Sequence, residues 1–374
     1  MSRSRSPPSL PSPADLKLAL DALASTNPST YQTTLLGHWL GPTFPIALTR
    51  PLSTLLRDAI IVALDVEWYE HSPTHITELG VSILDPRFIS RTPPSSPPPL
   101  QKTTTHHVRL RPNAHLTNSD LCPGYPQNFQ FGPTAFVSRT EATTLLRHAF
   151  TRYNQYNTLR PVILMGHAVD GDAGILKEGF GVDVEGMGVL VSTLDSQVLA
   201  FENGIVGAGR KVGLGALMGV FGVREGCLHN AGNDVLCTVL AGLLCVGMHA
   251  VGFTQRHYEE LKFQLRGSAK SIYGTPNSCI KCDSSVHTED ACQVTLHCSI
   301  CATHKSATRR QAAYTHSTLK CKEDVKEKGK LLPVPCIYCI VSMDPARYAV
   351  GNSYRHGEGQ CAYEKRGDEG GLEG

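Results

Sequence analysis

The stretch that most constrains this chain is Ile60-Ile61-Val62-Ala63-Leu64-Asp65-Val66-Glu67-Trp68, an apolar run that ends by placing two carboxylates two residues apart. Side chains of a strand repeat with period two, so Asp65 and Glu67 face the same way at the end of a buried strand. Like charges that close suppress each other's ionisation, and a compensating positive charge is expected between them. Oxygen-only donors suit Mg²⁺ or Mn²⁺ better than zinc. The competing reading is that one of the pair merely ends the strand and faces water.

The pattern around this run is that of an α/β domain over residues 55–250. Residues 75–84 alternate as a second strand, and residues 86–99 are too rich in proline to hold a sheet and form an excursion at a hairpin tip. Residues 106–110 return as a third strand. Ala142, Leu145, Leu146, Ala149 and Phe150 recur with helical spacing. The wholly apolar residues 161–165 read as a buried central strand. A helix over 172–178, a strand over 188–194 and helices over 212–220 and 233–249 complete the alternation. Residues 1–54 are expected to be an N-terminal extension, its first residues disordered by their Ser/Pro/Arg content. Residues 251–276 read as a helix and linker, 277–340 as a Cys-rich module and 341–374 as a flexible tail. The glycines at 207, 209 and 213 do not have dinucleotide-binding spacing.

A formal net charge of +2 over 374 residues permits a nucleic-acid partner without indicating one. No run of 18 apolar residues exists and no apolar segment follows Arg3 and Arg5, so neither a membrane span nor a secretory signal is expected. That places the chain in the cytoplasm, the nucleus or both. Thirteen cysteines, several in Cys-x-x-Cys pairs, then point to metal binding or reduced thiols rather than disulfides.

Three further places complete the acidic constellation. Gly166-His167 follows the central strand and Asp172 opens the next helix, where α/β sheets tend to place ligands, although an ordinary helix cap is the alternative. Asp170 competes with it. His229 and Asp234 lie at the start of the longest apolar helix, and Asp195, after the strand over 188–194, reads as supporting or structural. The order Asp65-x-Glu67, Gly166-His167 with Asp172, then His229-x-x-x-x-Asp234 resembles the DEDDh 3′–5′ exonucleases of the ribonuclease-H-like fold. More narrowly, LDVEWYE…ITELGVSILD and LHNAGNDVLCTVLAGL resemble the fungal group of Gfd2-type mRNA-export-associated proteins and the quelling-interacting exonuclease of RNA silencing.

The resemblance implies a mixed five-stranded sheet flanked by helices. Asp65, Glu67, Asp172 and Asp234 would bind two Mg²⁺ or Mn²⁺ ions, and His229 would be the general base. It also implies a single-stranded nucleic-acid substrate entered from its 3′ end, RNA rather than DNA, and an RNA-silencing or mRNA-export protein as a further partner. The chemistry is coherent: two divalent ions clamp both sides of a phosphodiester under displacement, and an imidazole titrating near neutrality accepts the proton of the attacking water. The rival reading is a catalytically weak adaptor that works through its binding surface.

In the tail, Cys279-x-x-Cys282 and Cys298-x-x-Cys301 are separated by fifteen residues, which matches one tetrahedral zinc site built from two knuckles. The pair Cys336-x-x-Cys339, with Cys292, His297, His304 and Cys321, supplies donors for a second or cross-braced site. The alternative is a poorly ordered extension with reduced thiols. Basic residues at 309–330 suggest a nucleic-acid face, or a solvated one.

Overall fold

The computed structural model describes residues 11–40, 46–89, 100, 103–207, 211–247, 252–268 and 272–329. The expected strands form, as β1 (Ile60–Tyr69), β2 (Ser72–Leu84), β3 (Thr104–Leu110), β5 (Val162–Gly166) and β6 (Leu190–Asp195), joined by a further strand β4 (Thr134–Val137). The six lie in the order β4-β3-β2-β1-β5-β6. β1, β2 and β3 form an antiparallel meander, while β4 runs parallel to β3 and β5 and β6 extend the sheet parallel to β1. This is the ribonuclease-H-like mixed sheet, with β4 added at one edge. Four residues are too few for periodicity to reveal β4, and its place is fixed by pairing with β3.

Alternation along β1 decides which side of the sheet receives the acids. Ile60, Val62, Leu64 and Val66 pack with α4 (Arg139–Phe150) and α5 (Asp172–Phe180), whereas Ile61 and Ala63 pack beneath α8 (Ala231–Cys245). Asp65 and Glu67 continue the odd-numbered series and so emerge beside the N-terminus of α8. Every residue of α8 is buried. Beyond its polar first turn this helix is apolar on nearly every side and must be covered, and α6 (Ser196–Glu202), α7 (Leu214–Val220) and α9 (Gln255–Ser268) do this. Tyr258, Leu261 and Leu265 of α9 enter the same core.

The N-terminal helices correct the expected boundary at residue 55. Leu16 and Leu20 of α1 (Pro13–Thr26), Leu35 and Leu36 of α2 (Tyr31–Gly37) and Leu56 of α3 (Arg50–Arg57) are fully buried in the α8 core. Each such leucine contributes about 1.5–3 kcal/mol of burial free energy, so these helices are part of the domain. Within the 251–276 segment, α9 packs into that core as well. Residues 1–10, 90–99 and 330–374 lie outside the described residues, and with them the expected disorder at the N-terminus, most of the proline-rich excursion, the C-terminal tail and Cys336-x-x-Cys339.

The Cys-rich segment carries three short helices, α10 (Ser299–Ala302), α11 (Ala307–Gln311) and α12 (Lys322–Gly329). No described helix is long and apolar enough to cross a membrane.

Candidate active site

The site forms where β1 ends against the N-terminus of α8. Gly80 of β2 pairs with Asp65 and makes this approach possible: a Cβ there would lie 1.9 Å from the Ala231 carbonyl oxygen. Asn230 caps α8 by accepting the Asn233 N–H, and its own side chain donates to the Tyr125 carbonyl. His229, just before the cap, has φ +61°, a left-handed conformation that turns it back over the helix end. Its N–H donates to Asp234 Oδ2 at 2.9 Å. Glu67, His229 and Asp234 consequently converge, with a potential ligand atom of each within 4.8 Å of the others.

Asp65, two residues before Glu67 on the same face of β1, shares its burial and charge with this group. Burial and then Glu78 push its carboxyl up to about 7. Burial, then Asp65 and Glu78, push Glu67 up to about 9. Asp234 is raised well above the carboxylate range by burial and then by Asp65 and Glu67, against the opposing His229 N–H. Asp65 Oδ2 and Asp234 Oδ1 are buried with no hydrogen-bond partner. Buried carboxylate oxygens are ordinarily satisfied. Orphaned acceptors among mutually repelling acids are what a hard divalent cation with oxygen ligands would complete.

Asp172 follows β5. It opens α5, and its Oδ2 lies 2.9 Å from where a Cβ on Gly166 would sit, so the missing side chain at the strand end makes room for it. Asp172 is not in the Glu67–His229–Asp234 group. Its turn is held by Asp195, which accepts the N–H groups of Ala168 and Val169 and also caps α6 through Gln197 N–H. His167 points away into the α6 side, its Nδ1 2.7 Å from Ser196 Oγ. The backbone of Asp170 lies in the Val169–Gly171 turn before α5.

Residues 60–245, about half of the chain, match the DEDDh family model described as DNA polymerase III subunit epsilon-like, C-terminal domain. Through this domain the chain belongs to the DEDDh exonuclease-like family. The chain is also similar to curated relatives over about half of its length. An uncharacterized nucleolar protein of Schizosaccharomyces pombe is 26% identical over 185 residues, covering 47% of this chain and 65% of the relative. The Saccharomyces cerevisiae protein named Good for full DBP5 activity protein 2 is 28% identical over 199 residues, covering 48% of this chain and 34% of the relative. An uncharacterized S. cerevisiae protein is 24% identical over 207 residues, covering 48% and 40%. The chain thus spans less than two thirds of the length of each of these relatives.

Two features of the DEDDh domain escaped the sequence reading. Glu78, the cross-strand partner of Glu67, is buried and pairs with the buried His107 at 2.9 Å, while its Oε2 also accepts the Ala231 N–H. The signal was present, since an acid inside the apolar alternation of β2 must find a partner. The second is the loop after β3. Glu70 gathers the N–H groups of Ser119, Asp120, Leu121 and Cys122. Burial alone would raise Glu70, but these four donors hold it below its ordinary value. The loop brings Cys122 Sγ to 3.3 Å from His229 Nδ1, and Tyr125 N–H to the His229 carbonyl. Burial, followed by Glu67, Glu70 and Asp234, raises the Cys122 thiol. No local pattern links residue 122 to residue 229.

In the tail, the expected single site of Cys279, Cys282, Cys298 and Cys301 is corrected. The two pairs separate: Cys279 and Cys282 meet His287 and Cys292, while Cys298 and Cys301 meet His316 and Cys321. Each knuckle finds its remaining donors in the chain that follows it, so the sites are successive rather than interleaved. His297 packs on Tyr314 and His304 contacts Arg309, so neither joins a cluster. Several of the basic residues have partners at the surface: Arg309 pairs with Glu323, Arg310 donates to the carbonyls of His304 and Lys305, and Lys326 pairs with Asp120.

Proposed function

We propose that this protein is a divalent-metal-dependent 3′–5′ exonuclease of single-stranded nucleic acid, RNA in preference to DNA. The observation that supports it most is the convergence of Glu67, Asp234 and His229 beside Asp65, with buried carboxylate oxygens that have no partner in the protein. In this reading Asp65, Glu67, Asp172 and Asp234 hold Mg²⁺ or Mn²⁺, which supplies the charge stabilisation that a phosphodiester displacement requires. His229, exposed at the lip of the acids, accepts the proton of the attacking water as the bond from phosphorus to the 3′ oxygen breaks. Its left-handed backbone and its N–H bond to Asp234 fix where the ring stands. Asp195 and Glu78 hold elements in place and touch no substrate.

The preference for RNA rests on the fungal group that the motifs resemble. A relative described as nucleolar and one named for DBP5 activity support a nuclear location, and an RNA-silencing or mRNA-export partner rests on the same resemblance to the fungal group. End-labelled single-stranded RNA and DNA, incubated with Mg²⁺ or Mn²⁺ beside an Asp65→Ala variant, test the proposal. Mononucleotides released from the 3′ end by the native protein alone support it. Binding without turnover in both proteins supports the adaptor reading instead.

A further inference from the structure

Residues 272–329 have very little apolar interior. Their buried cluster is Cys298, Cys301, Ala313 and Cys321, with Ile300 and Ala302 against it. Ordering the backbone of a residue costs roughly 1–2 kcal/mol, which this cluster does not offset. Another force must fold the segment.

The spacing of the sulfur and nitrogen atoms identifies it. Cys282 and Cys292 Sγ are 3.7 Å apart, as are Cys301 and Cys321 Sγ. Cys282 Sγ lies 3.4 Å from His287 Nε2, and Cys301 Sγ 3.7 Å from His316 Nε2. A disulfide needs about 2.05 Å. A tetrahedron with zinc–sulfur bonds of about 2.3 Å and zinc–nitrogen bonds of about 2.0 Å has sulfur–sulfur edges of about 3.8 Å and sulfur–nitrogen edges of about 3.5 Å. Those are the separations found, in two places. Cys298 Sγ also accepts the Cys301 N–H, as a thiolate in a metal knuckle does. Asp283, directly after Cys282, adopts φ +65°, which turns the chain back at the first knuckle.

We propose that this segment binds two zinc ions, one in each Cys-Cys-His-Cys set, and that the folded module braces the loop beside His229. Lys320 carries the connection. It is 5% exposed and directly precedes the ligand Cys321. Its ammonium donates to the carbonyls of Arg111 and Pro112 at 3.1 and 2.9 Å and pairs with Asp283 at 2.6 Å. One buried cation therefore joins both metal sets to the turn that follows β3. Farther along, Lys326 of α12 pairs with Asp120 at 2.9 Å, inside the stretch that Glu70 gathers and that ends at Cys122 against His229. Metal at the second set would fix Cys321, and with it the position of the adjacent Lys320 and of α12, which carries Lys326.

Zinc content of the purified full chain by plasma mass spectrometry tests the stoichiometry. Two ions per chain are expected, one remaining in Cys279→Ser/Cys282→Ser and one in Cys301→Ser/Cys321→Ser. A single ion removed by either pair of substitutions would restore the shared four-cysteine site, and no zinc would overturn the proposal outright. Cobalt(II) titration of metal-stripped native protein avoids dependence on variant folding, with tetrahedral absorption expected to saturate at two equivalents. Hydrogen exchange then reads the brace. Amides 116–122 should exchange at least tenfold faster in Cys301→Ser/Cys321→Ser while those of β1 and α8 stay protected. Unchanged exchange at 116–122 in a variant that has lost its second zinc refutes the brace.

Discussion

Substituting Glu67 by Gln should stabilise the protein when divalent ions are withheld. Glu67 and Asp234 present ligand atoms within 4.8 Å of each other. At an effective dielectric constant of about 20, two full charges at that distance repel by about 3.5 kcal/mol. The fold can relieve this by taking up a proton, which at pH 8 caps the cost at about 5 kcal/mol for a carboxyl with an ordinary value near 4.5. The sign follows from the raised values of Asp65, at about 7, and Glu67, at about 9. The folded state binds protons that the unfolded state has released, so stability falls as pH rises from about 4 to about 9.

Glu67→Gln removes one charge and keeps the shape. It should gain about 3 kcal/mol at pH 8, or roughly 5–10 °C in Tm, and under 1 kcal/mol at pH 5. Thermal unfolding in buffer freed of Mg²⁺ and Mn²⁺ measures this, and adding Mn²⁺ should raise the native protein and leave the variant behind. A variant no more stable than native at pH 8, or a gain equal at pH 5 and pH 8, would show that the acids do not repel across an empty centre.

Three further outcomes follow from the supporting contacts. Gly80→Ala drives a methyl into the Ala231 carbonyl, and urea denaturation should show a loss of about 3 kcal/mol with nuclease activity falling as α8 shifts. His107→Leu strands the buried Glu78 carboxylate and should cost about 3–5 kcal/mol by the same measurement, whereas the double change with Glu78→Gln should recover part of it. Asp195→Ala leaves the N–H groups of Ala168, Val169 and Gln197 without their acceptor; about 2 kcal/mol of stability should go, with a weaker response to Mn²⁺ as the Asp172 turn loosens.

The acids of β1 and the start of α8 were legible because local chemistry marks them: period-two alternation ending in Asp65 and Glu67, and a polar cap and first turn before an otherwise almost wholly apolar helix. Alternation even settles that these acids share the α8 side of the sheet. Residues 1–54 were expected as an extension because apolar residues within a short element do not say what covers them. The partners of Glu78 and of the two knuckles were hidden for a related reason. His107 is reached across a strand pairing, while Cys292 and Cys321 were in view as donors and only their division, with His287 and His316, between the two knuckles waited on the fold.

By itself, the amino-acid sequence determined which residues carry charge, which faces must be covered and in what order the elements come, since propensity and periodicity act within a few residues. Only the tertiary structure decided that Cys122 meets His229, that four knuckle cysteines divide into two sets and that Lys320 joins them to the sheet. The first and last of these contacts depend on the packing of segments more than a hundred residues apart, where the free energy of the whole core, not of any one stretch, selects the arrangement.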